Sequence, residues 1–174
     1  MNFRILPLAV LALFIVLGAS PRNAVAGPIV DFRATLSGEN EVPPVATEGR
    51  GVALVSLDTD SLLLSWEITW SNLTGEIFAM HFHGPGAPTE NAQVQVNIGS
   101  ISGLTSPSVG STVITADQAG HLLDGLWYVN IHTDAFAAGE IRGQVLRVTE
   151  PAALALFSFG AVAAVSLSRR RRAS

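Results

Sequence analysis

Three of the four histidines lie in two short runs, His81-Phe82-His83-Gly84-Pro85 and Tyr128-Val129-Asn130-Ile131-His132-Thr133. On a strand, residues two apart project from one face, so His81 and His83 would sit with Cα atoms about 6.6 Å apart. Two imidazoles at that spacing can close on one ion at about 2.0–2.1 Å per bond. His132 shares a strand face with Tyr128 and Asn130, and it completes a three-histidine site if the two strands are neighbours. His121, Asp134 or Glu140 would then be the fourth ligand. Imidazoles without thiolates suit copper(II) or zinc. The plainer reading makes the same rings structural, with their nitrogens bonded to loop carbonyls and Asn130 and His132 holding the turn at Thr133-Asp134. An H-x-H pair recurs by chance, so the sequence favours the structural role.

Other candidate groups point away from catalysis. Glu140 and Arg142 share a face of the last strand run, where the arginine fork would lock that strand through Asp134 or the neighbours of Glu140. Its functional alternative is to steer an anionic ligand to a metal. The loop Glu39-Asn40-Glu41-Val42-Pro43-Pro44 carries two carboxylates, but glycoside hydrolysis also needs a cleft with aromatic platforms, and Tyr128 is the only tyrosine. Trp66, Trp70 and Trp127 fall on strand faces expected to be buried. No nucleophile constellation, phosphate loop or zinc-protease helix is present. No catalytic residue is assigned, and copper or zinc is the only cofactor the residues suggest.

The elements that would position these groups are short strands. Phe32, Ala34 and Leu36 alternate with polar residues, Val52 to Leu57 forms a second strand, and Leu62, Leu64, Trp66, Ile68 and Trp70 share one face of a third. Asp58-Thr59-Asp60-Ser61 joins the last two as a hairpin. Glu76 to His83, Gln93 to Ile98 (burying Val94, Val96 and Ile98), Val109 to Ile114, Leu126 to Thr133 and Glu140 to Val148 follow. Thr115-Ala116-Asp117-Gln118 is a capping box opening one short helix to about Leu123. About seven to eight strands with one helical insertion predict an all-β antiparallel sandwich or barrel.

Both ends carry targeting features. Residues 1–26 have an early cation, an apolar run from Ile5 to Leu17, and Ala24-Val25-Ala26 as the cleavage site of a secretory signal peptide. At the other end, the apolar stretch Pro151 to Ser168 would reach roughly 27 Å as a helix, enough to span a bilayer, and Arg169, Arg170, Arg171 and Arg172 would stay on the cytoplasmic side. Between them, Gly27 to Val148 makes one domain without cysteine or lysine. Its thirteen carboxylates face four arginines, a formal charge of −9. Such a surface argues against nucleic acid as a partner and leaves cations or neutral glycans as easier ones.

The tail, with Glu150-Pro151, an apolar span and an arginine cluster, resembles the PEP-CTERM sorting signal of Gram-negative bacteria, although Thr149 replaces the first proline of Pro-Glu-Pro. That resemblance implies the export machinery and an exosortase-like sorting enzyme as partners, with residues 149–174 as the sorting tail. Within the domain, Ala34-Thr35-Leu36-Ser37-Gly38-Glu39-Asn40-Glu41-Val42-Pro43-Pro44, the two histidine runs and Gly139-Glu140-Ile141-Arg142-Gly143-Gln144 resemble the CHRD domain in the expected order. Membership implies an extracellular immunoglobulin-like or superoxide-dismutase-like sandwich and little about activity. The expectation is an exported, surface-sorted CHRD module that binds a cell-surface glycan or protein, or has a structural role in the envelope or matrix, more readily than an enzyme. The alternative is a copper or zinc protein, for metal handling or dismutase-like redox chemistry.

Overall fold

The computed structural model describes residues 28–148, so the signal peptide, its Ala24 and Ala26 cleavage site and the sorting tail lie outside the described residues. β1 (Ile29–Ser37), β2 (Arg50–Asp58) and β3 (Leu63–Ser71) pair antiparallel along their lengths. The β2–β3 turn closes where Asp58 Oδ1 accepts hydrogen bonds from the backbone N–H groups of Asp60 and Ser61. β4 (Ile77–His83), β5 (Val94–Asn97), β6 (Ser108–Val113), β7 (Tyr128–Thr133), β8 (Ile141–Gln144) and β9 (Leu146–Arg147) complete the strands. The sheet runs β5-β4-β7-β8-β1-β2-β3-β6, with β9 also on β1. It curls into a half-barrel, as expected of an all-β antiparallel domain.

The alternating pattern sets which face turns inward. Phe32, Ala34 and Leu36 of β1, Val55 of β2, Trp66 of β3, Met80 and Phe82 of β4, Val129 and Ile131 of β7 and Ile141 of β8 bury together. Trp66 meets Phe82 edge-on at 5.6 Å between ring centroids, and Phe82 meets Trp127 at 5.9 Å, linking the two halves of the curl. Burying side chains of this size contributes about 1.5–3 kcal/mol each. Among the described residues, every buried core residue falls within Phe32 to Val145, so this segment packs around one core of its own.

Several expectations need correcting. A second helix, α1 (Ile98–Ser102), begins where the β5 run was expected to end, because Asn97 Oδ1 caps Ser100 N at 3.0 Å. The expected helix, α2 (Ala116–Leu123), has the Thr115/Gln118 capping box on both sides. Val94 is 48% exposed because β5 is a sheet edge, leaving Val96 and Ile98 as the buried members of that set. Leu62 lies in the β2–β3 turn at φ +57, and Trp70 is only half-buried near the end of β3. The final run divides at Val145, whose N–H bonds Trp127 O at 2.8 Å while its side chain enters the core. That crossing lets β8 pair with β7 and β9 with β1.

Candidate metal centre

The outward face of β4, β7 and β8 carries the polar residues. In register, His83 lies opposite Tyr128, His81 opposite Asn130 and Ala79 opposite His132, while Arg142 of β8 lies opposite Asn130 on the other side of β7. All six residues of β7 are buried, the outer ones beneath loops rather than in the core.

The three histidines come together. One ring nitrogen from each of His81, His83 and His132 falls in a group within 4.8 Å. His81 Nδ1 and His132 Nε2 are 3.3 Å apart, about the spacing of two nitrogens sharing a tetrahedral zinc at 2.0–2.1 Å per bond. Ring centroids are 5.2 Å apart for His81–His132, 5.4 Å for His81–His83 and 5.8 Å for His83–His132.

Backbone carbonyls set the tautomers. A carbonyl only accepts, so His83 Nδ1 donates to Ala92 O at 2.9 Å and His132 Nδ1 donates to Ala137 O at 3.1 Å. Both Nε2 atoms therefore carry lone pairs. His132 Nε2 accepts from His81 Nδ1, while His83 Nε2 is buried without a hydrogen-bond partner. Such outer bonds orient imidazoles for metal ligation and raise their basicity. Burial, then the neighbouring His132 and His83, pushes His81 down to about 4. Burial likewise lowers His83 and His132 against the raising effect of their carbonyl bonds. The cluster is accordingly neutral at pH 7, the form that binds metal.

Aromatic and cationic contacts hold His83 in place. Its ring stacks on Tyr128 at 5.0 Å with planes 4° apart, and Arg142 Cζ lies 3.4 Å from the Tyr128 ring centroid. Arg142 donates to Asn91 Oδ1, Ala87 O and Glu90 O, and Tyr128 Oη accepts from Ala92 N at 3.0 Å. The arginine thus secures the loop whose Ala92 carbonyl orients His83. This replaces the expected pairing of Arg142 with Asp134 or the neighbours of Glu140.

None of the suggested fourth ligands joins the group. Glu140 accepts from Thr47 Oγ1 and Thr74 N at 2.6 Å each and from Thr133 Oγ1 at 2.7 Å. Those bonds outweigh the effect of burial and lower its pKa. Asp134 Oδ1 accepts from Glu76 N at 2.8 Å, and His121 belongs to α2. Sequence reasoning singled out the loop carboxylates Glu39 and Glu41 but missed the burial of Glu41, which is 5% exposed beside Asn130, and it missed the Ala92 and Ala137 carbonyls. A buried acid in a polar loop has no side-chain periodicity to reveal it, and a backbone acceptor has no residue-type signal.

The site is an all-β domain with three imidazoles on the outer face of adjacent strands, two of them oriented by loop carbonyls. Residues 32–145 match the CHRD domain, and the chain belongs to that family. No curated protein and no solved structure matches it.

Proposed function

We propose that this chain is a metal-binding CHRD module in which His81 Nδ1, His83 Nε2 and His132 Nε2 hold one copper(II) or zinc ion. The observation that carries this reading is the pair of Nδ1–H···O=C bonds to Ala92 and Ala137, which leave a lone pair on each Nε2, that of His132 against His81 Nδ1 and that of His83 buried without a partner. A purely structural cluster would bond its available nitrogens, as His132 does; His83 Nε2 has no such partner. Binding would break the His81–His132 hydrogen bond, and the His81 proton would pass to its Nε2, so the ligand set stays neutral.

Export and attachment at the envelope complete the proposal and rest on the two ends of the sequence. The exosortase-like processing and a glycan or protein partner belong to it in the same way. The test is equilibrium dialysis of an untagged Gly27–Val148 domain against copper(II) and zinc, followed by metal analysis. One ion per chain, lost in His83→Ala and kept in His121→Ala, supports it. Substoichiometric metal in the unaltered domain would return the chain to the purely adhesive or structural module.

A further inference from the structure

Next to the histidines, a cavity of about 310 Å³ lies between β7 and the loops that cover it, lined by Glu41, Val45, His83, Asn130, Phe136 and Ala138 among others. That volume falls at the small end of ligand sites. Glu41 is 5% exposed and Asn130 4% exposed. Glu41 Oε1 and Asn130 Oδ1 are both buried acceptors without a hydrogen-bond partner. They are close together, since a Cβ placed on Gly139 would collide with Asn130 Oδ1 and lie 2.7 Å from Glu41 Oε1. The only hydrogen bond to the Glu41 carboxylate among the described residues is a long one, from Asn130 Nδ2 to Oε2 at 3.4 Å. Arg142, the cation acting on Glu41, forms no hydrogen bond with that carboxylate and donates instead to Asn91, Ala87 and Glu90.

Two adjacent acceptors without a donor, one of them a carboxylate, complement a ligand that brings positive charge and N–H bonds together. Val45 and Phe136 supply apolar wall for a short alkyl chain. We propose that this cavity is a second site, adjoining the metal centre at His83, that binds a primary ammonium group between Glu41 Oε1 and Asn130 Oδ1. The proposal does not rest on the metal reading, because neither atom is a metal ligand there. Burial, only partly offset by Arg142 and Asn130, pushes Glu41 up to about 7, as expected of a carboxylate whose charge is poorly compensated. The chain contains no lysine, so none of its own side chains supplies such a group, and the candidate sources are a free amine and a lysine of another protein.

The test titrates the metal-free Gly27–Val148 domain, at a pH above 7 where Glu41 is ionised, with n-butylammonium, Nα-acetyl-lysine methylamide and tetramethylammonium, read by two-dimensional NMR shifts of the Gly139 amide and the Asn130 side-chain NH₂. Saturable binding of one or both N–H-bearing probes, with a dissociation constant of about 1 mM, is expected. Glu41→Gln, which keeps the acceptor for Asn130, should weaken it about tenfold or more. Which of the two binds identifies a free amine or a lysine side chain as the source. No saturation up to about 50 mM would overturn the proposal. Equal binding by tetramethylammonium, or by Glu41→Gln, would also overturn it.

Discussion

Two buried carboxylates in this domain have opposite surroundings. Glu140 is 0% exposed and is met by Thr47, Thr74 and Thr133, whose donors tie three segments to the start of β8. Glu41 is almost as buried yet receives one long bond from Asn130, its second oxygen is buried without a partner, and the residue lines a cavity. The two pKa values move in opposite directions, Glu140 lowered by its donors and Glu41 raised to about 7 by burial. A saturated polar cluster holds the fold, and an unsaturated one is where a ligand has something to gain. The histidines belong with Glu41, because His83 Nε2 is likewise buried without a partner.

The largest effect should come from Glu140→Ala. It leaves two hydroxyls and an N–H without their acceptor, and the domain should lose about 4 kcal/mol of stability in urea unfolding. Glu41→Gln should be neutral or stabilising at pH 7, and a comparable loss there would erase the contrast.

Acidity should sharpen it next. Between pH 4.5 and about 7 folded Glu41 holds a proton that the unfolded chain has released. Its contribution therefore favours folding below pH 4.5 and is lost as pH rises through 7, on the order of 3 kcal/mol in all. The histidines have the opposite sign. Their folded values lie below 6.5, so the stability they contribute is present above pH 6.5 and falls away toward about 4 for His81. Relative to the unaltered domain, Glu41→Gln should gain stability as pH rises from 4.5 to 7, as read by chemical unfolding at each pH. A constant difference would show that Glu41 is normally ionised.

On the histidine side, His83→Ala should weaken copper(II) or zinc binding by about a hundredfold or more in competition with a chromophoric chelator, and His121→Ala should leave it unchanged. The smallest change belongs to Tyr128→Phe. It retains the ring beneath His83 but removes the acceptor for Ala92 N, and metal affinity should fall by up to about tenfold.

Much of this arrangement was legible in the sequence. Period-two alternation placed the buried faces of β1 and most of β3, and the same parity put His81 and His83 on one face of a strand and His132 with Tyr128 and Asn130 on one face of another. Their convergence depended on β4 pairing with β7, a long-range choice that local pattern leaves open. The split at Val145 depends on a bond to Trp127 across the fold, and α1 depends on one Asn97 cap just before the Gly/Ser/Thr-rich residues 99–112. The fourth-ligand candidates failed for a similar reason. Asp134 and Glu140 are near His132 in sequence, but Asp134 Oδ1 is taken by the distant Glu76 N–H, and Thr47 and Thr133 take the oxygens of Glu140.

The most direct test of the metal reading is long-range ¹H–¹⁵N NMR of the four imidazoles as zinc is added to the Gly27–Val148 domain. His83 and His132 should keep their protons on Nδ1 while their Nε2 resonances shift on ligation, and His81 should move its proton from Nδ1 to Nε2, with His121 unaffected. Unchanged spectra for His81, His83 and His132 at stoichiometric zinc would contradict the account, as would ligation through Nδ1 of His83 or His132.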